Sequence, residues 1–430
     1  MHKKIIQLSL PLILANISLP LCDIVNSALM GNLHASSYLA ASALGFSVIT
    51  FISALFYFLR MSTTGVIAQQ YGKKDFNKIF DWLVKALIVA MILAFILIMF
   101  QGVIYDLALA ILSMNQAVTK LFSEYFNITI YALLFVFINY VLLGFFIALQ
   151  RAKLAFLMAL ITSISGISLS LIFVKLLHLD IKGIAYSVVL SQALSCIFAL
   201  FFSIRIAKDN KVSLKKLINR NQFNWRAYQA FMSVNGDIFI RSLCLQVCIN
   251  SFFVFSAHMG QEVFAANTLL IEFAMLLALF LDALANATET LVGENVGQND
   301  KSALKRTLLY TLSYSIAFSL LFVLIYACVY PWVFDLLTSI ASVRQAAEHY
   351  VIFSIIFPLI AVFSFWLDGV FVGLLKTTIM RNAMIASMVL YLLSVAAFWS
   401  FGNAGLWLAY LLFFIYRAIT LGVPLIRRLK

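Results

Sequence analysis

Residues 9–33 read SLPLILANISLPLCDIVNSALMGNL, an apolar stretch that is long enough to cross a membrane as one helix. Asn16 and Asp23 share one face of such a helix, and Asn26 follows one turn after the acid. Pro20 removes a backbone hydrogen bond just before Asp23, so the helix can bend there. A carboxylate at bilayer depth is costly unless it faces a protein interior or a water-filled cavity. The stretch predicts a membrane helix whose Asp23 responds to a proton or a cation; the alternative is an Asp23 held by a Ser or Asn neighbour for structural reasons.

The composition of the whole chain is that of a polytopic membrane protein. Of 430 residues, 64% are hydrophobic and 11% are charged, whereas about a quarter of the residues of a soluble domain are charged. The apolar segments run for about 20 residues or more without the alternation of a barrel strand, which favours membrane-spanning helices. The net charge of +13 comes from Lys and Arg between these segments, where membrane topology accounts for it. We therefore expect an all-α membrane protein with no sizeable soluble domain and no nucleic-acid partner.

The sequence contains no motif of an enzyme or of a metal site. There is no P-loop, no HExxH and no GxSxG, and the histidines lie at or near the ends of the predicted spans. The cysteines form no CxxC, and Cys244 and Cys248, which share a helix face, are interpreted as small core residues. Without a Walker motif the chain cannot hydrolyse ATP. We therefore expect transport that is ion-driven or passive, with no catalytic residue, no metal and no cofactor.

Hydropathy predicts about twelve membrane spans, six on either side of a polar, basic connection. The first six cover approximately residues 7–30, 38–68, 83–110, 124–149, 153–178 and 181–206, and the second six cover approximately residues 230–258, 262–292, 304–328, 343–374, 379–401 and 403–426. We expect an N-terminal six-helix lobe at 1–206, a cytoplasmic linker at 207–229 and a C-terminal six-helix lobe at 230–430.

Lys and Arg gather in the connections on one side of the predicted spans. These connections are residues 3–4, 73–78, 151–153, 208–226, 301–306, 376–381 and 427–430. The opposite side offers little beyond Lys120, Lys182 and Arg344. Because positive residues stay on the cytoplasmic side of a membrane, both termini are predicted to be cytoplasmic.

An internal repeat relates the two halves of the chain. Gly144-Phe-Phe-Ile-Ala-Leu-Gln150 resembles Gly369-Val-Phe-Val-Gly-Leu-Leu375, and Gln69–Asp75 resembles Glu294–Asp300. Both pairs are offset by 225 positions. Six spans per half is an even number, so the halves insert in the same orientation and are related by a pseudo-two-fold axis along the membrane normal. Two such helix bundles are typical of transporters that work by alternating access.

The second half carries most of the acids that are predicted to lie at membrane depth. Asp282, Asn286 and Glu289 share one helix face, as a cation path or a proton relay requires. Asp368 precedes Gly369, where two helix backbones can approach closely. For Asp368, a binding role and a structural role stay equally open.

Asp237 and Arg241 are also predicted to lie within a span, the first of the second half. They are separated by one helical turn. This spacing favours an ion pair in which each charge neutralises the other, so we expect a structural role for both.

Several motifs, taken in order, are similar to those of the DinF branch of the MATE (multidrug and toxic compound extrusion) transporters. They are Leu59-Arg-Met-Ser-Thr-Thr-Gly65 with Ala68-Gln69, Asp237–Ser242, Leu281-Asp282, Glu289, Leu367-Asp-Gly369, Met380-Arg-Asn382 and Leu406-Trp-Leu-Ala409. The sequence resembles this branch over nearly its whole length. The resemblance implies a twelve-helix, two-lobed exporter that exchanges protons or sodium for organic cations. We expect it to act as a monomer in a bacterial inner membrane.

The sequence also departs from this branch at the proton site of the N-terminal lobe. The family usually has Val-Asp-Thr-Ala late in the first helix, where this chain has Val25-Asn26-Ser27-Ala28, with Asp23 one turn earlier. The family usually places an Asp in the fifth span, where this chain reads Ser163-Ile-Ser-Gly166-Ile-Ser-Leu-Ser170. Either Asp23 has taken over the ion coupling, or coupling has moved to the acids of the C-terminal lobe.

The predicted function is a secondary antiporter that exports lipophilic organic cations in exchange for protons or sodium, coupled through Asp23 or through the face with Asp282 and Glu289. The alternative is a lipid or lipid-linked glycan flippase of the same wider superfamily. A flippase is expected to have a more basic central cleft to hold pyrophosphate, whereas the intramembrane charges of the second half are mainly acidic. A receptor or structural membrane protein has no need for a polar stripe at membrane depth, which argues against that class.

Overall fold

The computed structural model of the chain is built from helices. It describes residues 1–31, 33, 35–112, 115–212, 225–337 and 340–429. The α-helices are α1 (His2–Gly31), α2 (Ser36–Phe56), α3 (Phe58–Gly72), α4 (Phe76–Met99), α5 (Gln101–Ile111), α6 (Gln116–Thr129), α7 (Ala132–Ala148), α8 (Ala152–Leu171), α9 (Asp180–Asp209), α10 (Trp225–Ala257), α11 (Gln261–Gln298), α12 (Lys301–Leu337), α13 (Ala341–Gly373), α14 (Thr377–Phe398) and α15 (Gly402–Leu429). A π-helical turn, Ile172–Leu176, follows α8, and a 3-10 turn, Trp399–Phe401, precedes α15. These described ranges contain no strand, so the predicted all-α class is confirmed.

Apolar helices of membrane-crossing length make up most of the described residues. Ten ranges among them are long and apolar enough to cross a bilayer, and the pair α6 and α7, bent by 46°, brings the number to eleven. The longest range, Thr377–Arg428, contains both α14 and α15, and each of these helices has the 20 or so residues that one crossing needs. Counted separately, they give the twelve spans that hydropathy predicts. The chain is therefore a multi-pass membrane protein.

The chain divides into two compact units. The N-terminal unit consists of Leu10–Met232, and the C-terminal unit consists of Ser233–Lys430 together with Met1–Ser9. Of the expected linker at 207–229, residues 213–224 lie outside the described part of the chain, as does residue 430 of the basic C-terminus.

The first residues of α1 belong to the C-terminal unit. Lys4 Nζ lies 2.7 Å from Glu294 Oε2, and His2 Nδ1 lies 2.9 Å from the Tyr314 hydroxyl oxygen. From the sequence, these residues are expected in the first lobe, because a continuous helix gives no sign that its first turns pack elsewhere.

The internal repeat is visible in the turns that begin equivalent helices. Asp75 caps α4 by accepting a hydrogen bond at 3.1 Å from the backbone N–H three residues later. Asp300 caps α12 in the same way at 2.8 Å. The residue before each cap, Lys74 or Asn299, has a left-handed backbone with φ of 58° or 57°. The repeated sequence motif therefore encodes a repeated turn.

Close helix packing is repeated as well. A Cβ added to Gly144 of α7 would lie 2.6 Å from the carbonyl oxygen of Arg60 on α3. A Cβ added to Gly369 of α13 would collide with the carbonyl oxygen of Ala285 on α11. Both members of the first pair precede those of the second by 225 positions. The two units therefore use the same glycine position to bring two helix backbones together.

Candidate functional site

The polar part of α1 packs against α8 in the N-terminal unit. Ser163 Oγ donates a hydrogen bond to the carbonyl oxygen of Ser18 at 2.9 Å. Gly166 leaves room for Cys22, because an added Cβ would lie 2.8 Å from the Cys22 Sγ. The segment Ser163–Ser170, which has no acid, is thus the surface on which the polar part of α1 rests.

Asn26 belongs to a chain of hydrogen bonds that joins α1, α8 and α9. Its Oδ1 accepts a hydrogen bond from Ser170 Oγ at 2.7 Å, and Ser170 Oγ lies 2.7 Å from Ser187 Oγ. Its Nδ2 lies 3.7 Å from the Cys22 Sγ. Ser170 and Ser187 are fully buried, so their hydroxyl groups need these partners. Asn26 is therefore fixed by its neighbours.

Asp23 is partly buried and has different surroundings. Among the described residues, no side chain forms a hydrogen bond or an ion pair with its carboxyl group. Tyr125 of α6, a buried residue packed against Gly45 of α2, is within electrostatic range of Asp23. Asn16, the third member of the predicted stripe, is partly buried. The described residues thus do not include the Ser or Asn partner that the structural alternative for Asp23 requires.

Asp282, Asn286 and Glu289 lie on α11 in the C-terminal unit. Asn286 Nδ2 donates a hydrogen bond to Asp282 Oδ2 at 3.2 Å. Asn286 and Glu289 are buried, and Asp282 is partly buried. Gly373 of α13 packs against this segment, since an added Cβ would lie 2.6 Å from the Glu289 carbonyl oxygen. The structure therefore places Asp282 and Asn286 in direct contact, with Glu289 deeper in the packed helices.

Asp368 of α13 lies between two arginines. Its carboxyl group forms ion pairs with Arg241 of α10 and Arg417 of α15, and none of the three side chains is more than 9% exposed. Arg417 also lies over the rings of Phe413 and Phe414, with Cζ 5.5 and 5.3 Å from the ring centroids. Asp368 is therefore part of a buried cluster that contains more positive than negative charge.

The expected ion pair between Asp237 and Arg241 does not form. Asp237 Oδ1 lies 2.7 Å from Arg381 Nη1 on α14, and its Oδ2 accepts hydrogen bonds from two threonine hydroxyl groups of that helix at 2.9 and 2.8 Å. Arg241 binds Asp368 instead. The long Arg241 side chain reaches α13, whereas Asp237 of α10 contacts the first turns of α14. Packing between helices thus overrides a spacing that favours pairing along one helix.

The described site includes residues that the sequence does not predict as partners of the buried acids and amides, namely Arg417, Arg381, Ser170 and Ser187. Arg417 lies inside the predicted span 403–426, and an arginine at such a position indicates a buried partner or a functional role. The inference that the charges of the second half are mainly acidic left this residue out. Ser170 and Ser187 give no comparable signal, because small polar residues are common at helix contacts within membranes.

Known proteins resemble the chain along most of its length. The MatE family profile matches residues 11–172 and 238–396. The DNA damage-inducible protein F of Escherichia coli (strain K12) is 31% identical over 420 residues, which cover 97% of this chain and 91% of that protein.

Two solved structures have the same fold at low sequence identity. A MATE structure in complex with MaD3S has a TM-score of 0.88 at 19% identity and covers 99% of this chain and 95% of its own. An outward-facing multidrug resistance MATE family transporter of the MOP superfamily has a TM-score of 0.87 at 21% identity, with the same coverage of 99% and 95%.

Proposed function

The chain belongs to the MatE family of membrane transporters, and on this basis we propose that it is a secondary antiporter. It exports lipophilic organic cations in exchange for protons or sodium, by alternating access of an N-terminal lobe (1–206) and a C-terminal lobe (230–430) that are joined by a cytoplasmic linker (207–229). It acts as a monomer in a bacterial inner membrane, with both termini in the cytoplasm. Family members are ion-coupled transporters and not enzymes, so an ion gradient provides the driving force.

The surroundings of Asp23 are the observation that carries this proposal. An ion can drive a conformational change only if it interacts differently with the two conformations. A carboxylate that is already paired gains little from a proton or a cation, whereas Asp23 has no hydrogen bond or ion pair from the described residues. Pro20 lies less than one turn away on the same helix and supplies a place where α1 can bend. Protonation or cation binding at Asp23 would thus act on a helix that is able to move.

The neighbouring amide and hydroxyl groups support a role for Asp23 rather than for Asn26. Asn26 is held by Ser170, and an amide does not titrate. Asn16 lies on the same helix, two turns before Asp23, and its amide is a second neutral group of the stripe. The N-terminal site thus has one titratable group and two amides.

In the C-terminal unit, Asp282 is the better candidate for a second coupling site. Its carboxyl group is partly exposed and, among the described residues, accepts a hydrogen bond only from the neutral Asn286, with Glu289 following along the helix. Asp368 is already matched by Arg241 and Arg417, so it has little to gain from a further cation.

The test is binding of a fluorescent lipophilic cation to the purified protein in detergent, over a pH series and with and without sodium. We expect affinity that depends on pH or on sodium in the parent protein and loses that dependence in Asp23→Asn. Asp106→Asn, which changes an exposed acid of α5, is the matched control and should behave as the parent.

Two outcomes would redirect or reject the proposal. If the dependence persists in Asp23→Asn and disappears in Asp282→Asn, coupling lies in the C-terminal unit. If the single amide variants of Asp23, Asp282 and Glu289 all leave ion-driven export from proteoliposomes unchanged, the antiport proposal is wrong.

A further inference from the structure

The ion pairs of the C-terminal unit leave one positive charge unmatched. Arg241 and Arg417 both bind the same oxygen atom, Asp368 Oδ2, so two guanidinium groups share one carboxylate. The exposed fraction of the side chain is 2% for Arg417 and 9% for both Arg241 and Asp368. Guanidinium groups stay protonated in proteins. A net charge in such a buried place is strongly unfavourable unless a counter-charge joins it.

No other acid of the described residues balances Arg417. The charged and titratable groups within electrostatic range of Arg417 are Asp368, Arg241, Cys248 and Tyr410. The thiol of Cys248 and the phenol of Tyr410 are neutral under ordinary conditions. The remaining acid of α10, Asp237, is neutralised by Arg381. The counter-charge therefore has to come from outside this group.

Three buried donors of this cluster have no acceptor among the described residues. They are the Nε atoms of Arg241 and Arg417 and the hydroxyl group of Tyr410. Water could accept hydrogen bonds from such donors but would leave the charge unbalanced. An anion accepts from several donors at once, and its hydrogen bonds to charged groups are the stronger kind.

The internal repeat shows that this cluster is particular to the C-terminal unit. Counting back 225 positions, Arg241 corresponds to Asn16, Cys248 corresponds to Asp23 and Asp368 corresponds to Leu143. The N-terminal unit thus places an acid where the C-terminal unit has a neutral thiol, and an amide where it has an arginine. These N-terminal counterparts therefore include one acid and no arginine.

We propose that Arg241 and Arg417 bind a monovalent anion inside the C-terminal unit, either a free halide or the carboxylate of an organic compound. The anion neutralises the second arginine and accepts hydrogen bonds from the unpartnered donors. The site goes beyond the proposed antiport and does not depend on Asp23.

The test is the thermal stability of the purified full-length protein in detergent while chloride replaces isethionate, a bulky sulfonate, at constant ionic strength. Acetate replaces isethionate in a second arm. We expect the Tm of the parent to rise with chloride or acetate and to saturate, because a ligand that binds only the folded state stabilises it. A rise with chloride alone identifies a halide site, and a rise with acetate identifies a carboxylate site.

Two variants test the net charge of the cluster. Arg417→Gln leaves a matched pair of Arg241 and Asp368, so the anion-dependent rise in Tm should be lost without loss of folding. Arg306→Gln, which removes an exposed arginine, is the matched control and should keep the rise. The double variant Asp368→Asn with Arg417→Gln restores one unmatched arginine, so it should regain the dependence.

The proposal is overturned if the parent shows no saturable response to either anion. It is also overturned if Arg417→Gln responds as strongly as the parent, because the response then comes from another part of the surface. A purely structural role for the arginines predicts no recovery in the double variant.

Discussion

The two units contain repeated helices but differ in charge at equivalent places. The N-terminal unit has Asp23 without a partner among the described residues, beside an amide that is held by serine hydroxyl groups. The C-terminal unit has Asp368 between Arg241 and Arg417. The positions that bring helices together, Gly144 and Gly369, are alike.

This difference shows which positions a repeated fold leaves free to vary. A glycine at a close helix crossing cannot change without moving the backbone, and a capping residue replaced by a side chain without an acceptor leaves an N–H group unpaired. A polar side chain that faces other side chains can change if its new neighbours match its charge. The compared glycines and caps therefore stay the same in both units, while the buried charges differ.

The largest expected effect comes from removing the acid of the C-terminal unit. Asp368→Asn removes the carboxylate that two buried arginines share, so we expect the free energy of unfolding to fall by about 3–5 kcal/mol. Arg417→Gln leaves Arg241 and Asp368 as a balanced ion pair, so it should lower the free energy of unfolding much less. Thermal or denaturant unfolding in detergent measures both, and equal losses for the two variants would show that their charges do not control stability.

A smaller effect is expected at the repeated helix crossings. Gly369→Ala and Gly144→Ala each force a Cβ against a carbonyl oxygen, and each should cost about 1–3 kcal/mol of stability. Gly102→Ala has no atom within 4 Å of the added Cβ and serves as the control. The yield and Tm of the folded protein report the result. A loss in only one unit would contradict equivalent packing.

Asp23→Asn should have the opposite sign to Asp368→Asn. Replacing a partly buried charge that lacks a partner by a neutral amide should leave stability unchanged or raise it by about 1 kcal/mol at neutral pH. The same unfolding experiment makes the comparison directly. A clear loss of stability would mean that the Asp23 carboxylate has a stabilising partner after all.

The smallest effect is expected at the cap of α4. The backbone N–H and the side chain of Lys78 hold the pKa of Asp75 below its ordinary value. Because the pKa is lower in the folded state, this contribution is complete above the ordinary pKa of an aspartate and is lost as pH falls through the folded-state pKa.

Asp75→Asn keeps a capping side chain and removes the charge. We expect a change below about 1 kcal/mol, since the site is open to solvent and the charge is screened. Between neutral and strongly acidic pH, the Tm of the variant should fall less than the Tm of the parent. An identical acid dependence in both would exclude Asp75 as its source, and Asp300→Asn tests the equivalent cap of α12.

Much of the fold follows from local sequence patterns, namely hydropathy and short turn motifs. Long apolar stretches predict the spans, because a bilayer requires about 20 apolar residues and satisfied backbone groups in each of them. The motifs at Gln69–Asp75 and Glu294–Asp300 predict a repeated turn, because left-handed residues and caps act within a few positions. The packing of Met1–Ser9 with the C-terminal unit has no such local cause and was not predicted.

The candidate site is predicted only in part. The sequence identifies Asp23, Asp282 and Asp368 as acids at depth, because charged residues are rare in apolar helices. It does not say which of them has a partner. Asp368 and Asp23 are both acids within apolar helices. Asp368 forms ion pairs with two arginines, whereas Asp23 forms none with the described residues.

The sequence by itself determined the membrane class, the number of spans, the repeat and the family, since each depends on hydropathy or on short motifs. Only the tertiary structure decided the partners of the buried charges. Arg241 lies one turn from Asp237 but binds Asp368, 127 positions away, and Arg417 reaches the same acid across 49 positions. The physical reason is that long side chains select the nearest buried counter-charge on a neighbouring helix. Which helix is nearest depends on packing that no local spacing specifies.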